Sequence, residues 1–233
     1  EALNWHTSNP MQGDYTEEYQ AYYHEELIKQ LFSRKYMWAT HVWNMFDFGA
    51  DARTEGGENG QNHKGLMTFD RKYKKDAFYA YKAWLSDEPF VHLCGKRYID
   101  RVEDVTKIKV YSNLPEVELF ANGESLGKKT ADDHFFYFDV PNAGETELKA
   151  VAGDCTDESF IRKVEVFNEA YLVSASAIIC VHNHPSGDSS PSKEDVVKTK
   201  KMKEISIIHG IGFIDHIIIG NGNYFSFYDN NML

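Results

Sequence analysis

The sequence has few cysteines and no long apolar run, and each shortage excludes a class of protein. Its three cysteines, Cys94, Cys155 and Cys180, are far apart and odd in number, so they favour free thiols in a reducing compartment over a disulfide framework. No stretch approaches the roughly 20 apolar residues that cross a bilayer, and the N-terminus lacks the basic-then-apolar pattern of a signal peptide. We therefore expect no membrane partner.

Positive charge is also in short supply. Lysine and arginine number 25 against 36 acidic residues, which gives a net charge of −11. Binding to nucleic acid or to an anionic membrane needs clustered basic residues, so neither partner is indicated. Apolar residues make up 42% of the chain and aromatic residues 14%, enough for a folded core. The 233 residues allow one large domain or two to three small ones.

The first hundred residues predict a helix, a strand, a long loop and a second helix, which is the order of elements in a (β/α)8 barrel. Asp14 is a candidate cap for a first helix that ends near Ser33. The aromatic-rich residues 36–48 predict a buried strand, residues 49–64 a loop, and residues 74–85 a helix. Helical spacing predicts that the first helix packs its larger side chains into the core: Tyr19, Tyr22, Tyr23, Leu27 and Leu31.

Three separated motifs in this region resemble the end of family 2 glycoside hydrolases, particularly bacterial β-galactosidases: residues 43–48, 62–66 and 69–72. The resemblance implies that Trp43 is a sugar platform and that Asn62 and Lys64 lie on a loop that meets a β-linked sugar. The Asn-x-Lys pair also resembles the carboxylate-binding element of β-glucuronidases, so the galactoside and glucuronide alternatives both stay open.

The catalytic carboxylates of the resembled family are expected to be missing. Retaining glycosidases use one carboxylate as nucleophile and one as acid and base. In the family both lie on earlier barrel strands, so the resemblance implies that the nucleophile precedes Glu1 and that the chain is a fragment. Glu17 and Glu18 are excluded as substitutes because they fall in the first turn of a predicted capped helix.

Residues 101–163 alternate between apolar and polar side chains, which predicts a small antiparallel β-sandwich. Asn122-Gly123 predicts a hairpin turn. The run at residues 117–127 resembles the immunoglobulin-like domain that follows the barrel in these glycosidases, which implies a structural spacer. The predicted strands cover residues 107–111, 116–120, 135–140, 146–151 and 159–166.

The most explicit chemistry lies on a strand, loop and helix near the C-terminus. Residues 175–181 predict a buried strand, and His182 and His184 follow it two residues apart, so both imidazoles point to one face. Asp195, at the start of the next predicted helix, can add an oxygen ligand. Two nitrogens and a carboxylate, with a fourth position left open, are a usual ligand set for catalytic zinc.

The last seventy residues resemble the C-terminal part of bacterial RadC proteins, members of the JAMM (MPN) metalloprotease-like group. The family pattern of His-x-His, seven residues, Ser, two residues and Asp is complete at His182, His184, Ser192 and Asp195. The resemblance implies one zinc ion bound by the two histidines and the aspartate, with Ser192 stabilising an oxyanion. As an alternative, Ser192 and Asp195 can form a helix N-cap pair.

The other histidines of this region are not expected to bind the metal. His209 and His216 are expected to be satisfied core or surface histidines, with Asp215 orienting His216. JAMM hydrolysis also needs an upstream glutamate as general base. Glu165 and Glu169 lie too near the start of the predicted helix that precedes the histidine strand for that role, so the base is expected to be missing.

The expected fold is mixed α and β, in three parts. A partial (β/α)8 barrel end (residues 1–100) precedes an immunoglobulin-like β-sandwich (101–163) and a partial α/β JAMM-type domain (165–233). We interpret the chain as a chimera joined near residues 163–167, a glycosidase fragment without its catalytic pair fused to a zinc-binding domain. A zinc-dependent JAMM hydrolase and a non-functional fusion product are the alternatives. The C-terminal half favours the cytoplasm, whereas the glycosidase parent leaves the periplasm or secretion open.

Overall fold

The computed structural model describes residues 2–53, 59–163, 167, 170, 173–184 and 186–233. The chain forms two compact units, Glu1–Val164 and Glu165–Leu233. The described part contains three long helices, α1 (Glu17–Phe32), α2 (Asp76–Leu85) and α3 (Lys193–His209). The fold is mixed α and β and rich in strands, as predicted.

Helix α1 begins after Thr16, whose hydroxyl accepts a hydrogen bond from the backbone N–H of Tyr19 at 3.1 Å. The prediction of Asp14 as the cap is therefore wrong. Asp14 instead accepts from the backbone N–H of Thr16 at 3.1 Å and from its hydroxyl at 2.5 Å, which holds the capping residue in place. The helix ends at Phe32, one residue before the predicted end.

The buried face of α1 is mainly polar, which contradicts the predicted apolar stripe. Tyr22 and Tyr23 are 47% and 54% exposed. The polar residues can be buried because they have partners, as Glu17 shows by accepting hydrogen bonds from the Asp76 backbone and the Arg97 side chain. The buried residues of the helix are Glu17, Gln20, Ala21, His24, Glu25 and Ile28.

The predicted strand at residues 36–48 is wrong for most of its length. Only its last residue belongs to a strand, β1 (Phe48–Gly49), which pairs with β2 (Gln61–Asn62). Trp38 is 95% exposed. A barrel strand is buried by neighbours on both edges, and the described residues supply this segment with only short pairings. Residues 54–58 of the predicted loop lie outside the described residues.

The middle of the first unit is a sandwich of two sheets, as predicted. The strands are β3 (Val91–Leu93), β4 (Asp100–Arg101), β5 (Val105–Ser112), β6 (Glu116–Ala121), β7 (Glu124–Thr130), β8 (Phe135–Pro141), β9 (Glu145–Ala152) and β10 (Cys155–Lys163). One sheet has the order β4-β10-β9-β6-β7 and the other β3-β5-β8. The inner faces of these strands form an apolar core around Val110, Leu119 and Phe138.

The predicted hairpin is confirmed, because Asn122 and Gly123 join β6 to β7 with φ angles of 49° and 82°. Strand β7 itself was not predicted. Every residue in it is exposed, so it has no alternation of apolar and polar residues to reveal it. The end of the last predicted strand, residues 164–166, lies outside the described residues.

The second unit contains a three-stranded sheet of order β11-β12-β13, formed by Ala177–Asn183, Gly212–Ile219 and Tyr224–Ser226. Strands β11 and β12 are parallel, and α3 makes the crossover between them. The predicted strand is present, but its predicted burial is wrong, since Ile179 and Val181 are 51% and 55% exposed. In the described part of the chain, no helix is long and apolar enough to span a membrane.

Candidate metal centre

The end of β11 and the start of α3 bring His182, His184 and Asp195 together. His182 lies in β11, and the backbone N–H of His184 continues the ladder by donating to the carbonyl of Ile219 at 2.9 Å. The chain then returns to this point at the first turn of α3. One ligand atom from each of the three side chains lies within 4.8 Å of the others. We call this group the Asp195 cluster.

A close backbone approach fixes the loop between the histidines and the helix. The backbone N–H of Asn221 donates to the carbonyl of Gly187 at 2.8 Å. A Cβ atom on Gly220 would lie 2.5 Å from that same carbonyl oxygen and 2.9 Å from the nitrogen of Ser189. Gly220 is therefore required for this loop to pack against the end of β12.

Ser192 is the N-cap of α3 and forms a capping box with Asp195. The Ser192 hydroxyl accepts from the Asp195 backbone N–H at 3.1 Å and donates to Asp195 Oδ2 at 2.7 Å. The backbone N–H of Ser192 also donates to Oδ2, at 2.8 Å. The N-cap alternative is thus observed, and both Ser192 donors hold the Asp195 carboxylate in one orientation.

The two imidazoles present nitrogen atoms to the oriented carboxylate. His182 Nε2 lies 3.5 Å from Asp195 Oδ1, and His184 Nε2 lies 3.2 Å from Oδ2. His184 Nδ1 lies 2.8 Å from the carbonyl oxygen of Asp188, which can only accept, so Nδ1 is the donor. In an uncharged ring the Nε2 lone pair then faces the carboxylate. Facing lone pairs repel one another, and a bound cation relieves that repulsion.

Charge at the cluster agrees with metal ligation. Partial burial lowers the pKa of His182 to about 4, against the opposing effect of the Asp195 carboxylate. Burial alone would raise the pKa of Asp195, but the hydrogen bonds from Ser192 and the charges of the histidines hold that pKa below its ordinary value. At neutral pH His182 is uncharged and Asp195 is ionised, the states in which these groups bind metals.

Sequence reasoning missed the place of His216 in this site. His216 lies on β12, is 5% exposed, and its Nε2 is 2.9 Å from His182 Nδ1. The prediction that Asp215 orients the His216 ring is wrong, since Asp215 accepts from the His216 backbone N–H, from Ser226 and from Tyr228 instead. The parallel register, which pairs Cys180 with His216, places this histidine beside the ligand strand.

Of the three residues assigned to a sugar site, Asn62 ends strand β2, Lys64 lies on the loop that follows it, and Trp43 lies on the segment before β1. Trp43 is 70% exposed and meets Phe48 edge to face, with ring centroids 5.9 Å apart. Asn62 is buried, and its side-chain oxygen accepts from the Lys64 backbone N–H at 3.0 Å. The pairing of Phe48 with Asn62 joins the two segments.

A buried ion pair between Lys75 and Asp47 holds the backbone on either side of Lys64. Lys75 Nζ donates to Asp47 Oδ1 at 2.9 Å and to the carbonyls of Ala2 and His63 at 2.9 and 3.2 Å. Asp47 Oδ1 also accepts from the backbone N–H of Gly65 at 2.9 Å. A Cβ atom at Gly65 would lie 2.1 Å from the Asp47 nitrogen, so only glycine allows this approach.

A second group of potential ligands, Asp76, His92 and Cys94, lies in the first unit with ligand atoms also within 4.8 Å. We call it the Asp76 cluster. His92 Nε2 is 2.9 Å from Asp76 Oδ1, and the other carboxylate oxygen accepts from the Gly95 backbone N–H at 2.7 Å. Burial raises the pKa of the Cys94 thiol well above its ordinary value. Asp76 and His92 are thus already paired with each other.

Two family models match the chain. The model described as RadC-like JAB domain matches residues 137–232, and the domain of unknown function DUF4982 matches residues 103–155. The residues matched by both belong to the sandwich of the first unit. A protein of Geotalea uraniireducens, described as a UPF0758 protein, is 48% identical over 77 residues, which are 33% of this chain and 34% of the relative.

The first unit is similar to glycosidases. A Bacteroides fragilis protein described as a β-glucuronidase is 50% identical over 131 residues, which are 56% of this chain and 18% of the relative. A crystal structure of an FMN-binding β-glucuronidase from Facaelibacterium prausnitzii L2-6 has a TM-score of 0.68 and 47% identity over 70% of this chain and 26% of that chain.

A crystal structure described as a putative β-galactosidase from Bacteroides fragilis has a TM-score of 0.61 and 37% identity. The match covers 66% of this chain and 24% of that chain. The chain thus spans 18% and 34% of the lengths of the two curated relatives described above.

Proposed function

We propose that this chain, in which a glycosidase-like region is joined to a RadC-like JAB domain, binds one zinc ion through His182, His184 and Asp195. The observation that supports the proposal is the convergence of three ligand atoms within 4.8 Å, with Nε2 of each imidazole 3.2 to 3.5 Å from a carboxylate oxygen of Asp195. Zinc favours such a mixed nitrogen and oxygen set and leaves the fourth position to a water or a substrate.

A zinc ion held in this way supplies Lewis acidity toward a carbonyl group. The oxyanion role of Ser192 stays a prediction, because its hydroxyl donates to Asp195 and would have to turn toward a substrate. A hydrolase also needs a general base. Among the described residues the Asp195 cluster includes no glutamate, and Glu165 and Glu169 lie outside them. We therefore propose metal binding rather than metal-dependent hydrolysis.

For the first unit we propose contact with a β-linked sugar without hydrolysis. The exposed indole of Trp43 offers a flat apolar face for a sugar ring, and Asn62 and Lys64 lie on the neighbouring loop. Glu17, a titratable carboxyl in this unit, is 1% exposed and bonded to Arg97 and to the Asp76 backbone, so it is unsuited to glycoside cleavage. The relatives named for β-glucuronidase and β-galactosidase suggest those two sugar classes.

Metal analysis tests the zinc proposal. The purified chain, saturated with zinc and then dialysed, should retain one zinc ion per molecule, as measured by inductively coupled plasma mass spectrometry. The double variant His182→Ala with His184→Ala should retain none, whereas His92→Ala should retain the wild-type amount. Retention of stoichiometric zinc by the double variant, or none by the wild type, contradicts the proposal.

Chromogenic β-galactosides and β-glucuronides test the proposal for the first unit. We expect no turnover, and weak sugar binding that Trp43→Ala removes, measured by chemical-shift changes on titration. The exposed Trp38 provides the control, since Trp38→Ala should leave binding unchanged. Clear turnover by the wild-type chain would show that a catalytic carboxylate pair is present after all.

A further inference from the structure

We propose that His216, oriented by Thr199, fixes the tautomer of His182 so that Nε2 of His182 is the nitrogen offered to the metal. The inference rests on the proposed zinc site and extends it to two residues that do not touch the ion. Both are buried, Thr199 at 1% and His216 at 5% exposure, so water does not compete for their hydrogen bonds.

The assignment begins at the hydroxyl of Thr199. This oxygen lies 2.6 Å from the backbone carbonyl of Asp195, one turn earlier in α3, and 2.6 Å from His216 Nδ1. A carbonyl oxygen can only accept, so the single hydroxyl hydrogen of Thr199 is directed to Asp195. The contact with His216 then needs a hydrogen from the ring, which makes His216 Nδ1 the donor.

The tautomer of His216 in turn determines that of His182. An uncharged His216 that carries its hydrogen on Nδ1 has a lone pair on Nε2. That nitrogen lies 2.9 Å from His182 Nδ1, so His182 must donate from Nδ1. The lone pair of His182 is thereby left on Nε2, the atom that lies 3.5 Å from Asp195 Oδ1. Outer hydrogen bonds of this kind orient the ligands of many metal sites.

Packing also holds the His216 ring in the orientation that the hydrogen bonds linking Thr199, His216 and His182 require; we call this series of hydrogen bonds the relay. The ring of Phe227 stacks on His216 with a centroid distance of 5.1 Å and an interplanar angle of 7°. The tautomer of His184 is fixed by a separate contact, the hydrogen bond from its Nδ1 to the carbonyl of Asp188. The two metal-facing nitrogens are therefore set by independent contacts, one from a loop and one from β12 and α3.

Removal of the Thr199 hydroxyl should reverse the direction of the hydrogen bond between His216 and His182. In Thr199→Val the buried Nδ1–H of His216 would lose its acceptor, so the ring is better satisfied with its hydrogen on Nε2. His216 would then donate to His182 Nδ1, and His182 would carry its hydrogen on Nε2, facing Asp195. Zinc could bind only after that hydrogen was displaced. Thr199→Ser keeps the hydroxyl and serves as the matched control.

Two readouts test the relay. Long-range 1H–15N spectra of the metal-free full chain report the tautomer of His182, whose signals are those that disappear in His182→Ala. We expect the Nδ1–H form in the wild type and in Thr199→Ser, and the Nε2–H form in Thr199→Val. Competition with a chromophoric chelator should show about ten- to a hundredfold weaker zinc binding by Thr199→Val and near-wild-type binding by Thr199→Ser.

A second variant guards against misfolding. His216→Phe preserves an aromatic ring against Phe227 but removes the acceptor for His182, and it should weaken zinc binding, whereas His216→Gln, which can accept, should bind more tightly than His216→Phe. An Nε2–H tautomer in the wild type, or Thr199→Val with unchanged tautomer and affinity, overturns the inference. A wild-type chain with the Nδ1–H tautomer and no zinc affinity overturns the metal site alone, so the two failures are distinguishable.

Discussion

The Asp76 cluster of the first unit and the Asp195 cluster of the second are built from similar side chains and differ in where their lone pairs point. In the Asp76 cluster one carboxylate oxygen is paired with His92 and the other accepts from the Gly95 backbone. In the Asp195 cluster both imidazoles take their hydrogen bonds on the far side, at Nδ1, and present Nε2 to the carboxylate.

This difference distinguishes a hydrogen-bonded structural pair from the ligand set that we propose. Proximity within 4.8 Å is common to both clusters, so composition and distance do not distinguish them. On the tautomers inferred above, a carbonyl for His184 and an imidazole for His182 direct the ring hydrogens away from the centre, whereas His92 is paired with Asp76 at Nε2 and lies 3.7 Å from Asp157 at Nδ1. We therefore expect the Asp76 cluster to stabilise the first unit and the Asp195 cluster to bind a cation.

The largest expected effect is on zinc affinity. Asp195→Asn keeps an oxygen that can accept at the start of α3 but loses the charge, so zinc binding should weaken by more than about a hundredfold, beyond the usual cost of changing an outer partner. Asp76→Asn should leave the affinity unchanged. Competition against a chromophoric zinc chelator measures both. Equal losses in the two variants would remove the distinction between the clusters.

The next effect is on the stability of the first unit. Asp76→Ala leaves two buried groups, the His92 ring and the Gly95 N–H, without their acceptor, which should cost about 4 kcal/mol, or roughly 2 kcal/mol for each group. Asp100→Ala breaks an exposed pair with Arg162 and should cost less than about 1 kcal/mol.

Urea denaturation followed by tryptophan fluorescence checks these two values. All four tryptophans, Trp5, Trp38, Trp43 and Trp84, belong to the first unit, so their emission does not follow the second. A cost for Asp76→Ala as small as that for Asp100→Ala would show that the Asp76 cluster does not hold the first unit together.

The pH dependence of stability should reveal another buried group of the first unit, His24, which contacts Tyr81. Burial lowers the pKa of His24 to about 4. In the unfolded chain this histidine binds a proton near pH 6.5, so the folded state loses stability as the pH falls from 6.5 to 4. The loss should reach at most roughly 3 kcal/mol relative to His24→Phe, which has no proton to bind.

The difference between wild type and His24→Phe is the quantity to measure, because Glu17 contributes with the opposite sign. Burial raises the pKa of Glu17 to about 7, so this group adds stability as the pH falls from 7 toward 4.5. Urea midpoints of both proteins at several pH values, read from tryptophan emission, give the difference. A constant difference across this range would rule out the lowered pKa of His24.

The smallest expected effect belongs to Cys94. Burial holds its pKa well above the ordinary thiol value, so it is a neutral thiol at neutral pH, and a metal ion would have to displace its proton. Cys94→Ala should therefore leave the zinc content of the chain unchanged. A drop in zinc content in this variant would show that the Asp76 cluster binds metal.

The sequence could predict the Asp195 cluster because its ligands are local. His182 and His184 share a strand end, and the spacing to Ser192 and Asp195 fits one loop and one helical turn. His216 could not be found in this way. Its contact with His182, which lies 34 positions earlier in the chain, depends on the parallel register of β11 and β12. A histidine on the strand that follows the crossover helix was the available signal.

Elsewhere, local patterns failed where tertiary partners decided the outcome. The sandwich strands were predictable because alternation directly reflects one buried and one exposed face. The aromatic residues 36–47 resemble a buried strand by composition, but the described residues supply few pairing partners, and the segment is mainly exposed. In α1, hydrogen-bonding partners allow Glu17 and Glu25 to be buried while Tyr22 and Tyr23 are exposed.

Anomalous X-ray scattering from crystals of the zinc-loaded full chain tests the central claim most directly, since it locates the metal without reference to activity. We predict a single strong peak among His182 Nε2, His184 Nε2 and the carboxylate of Asp195, and no peak near His92. A peak at the Asp76 cluster, or none at the Asp195 cluster, would contradict the account.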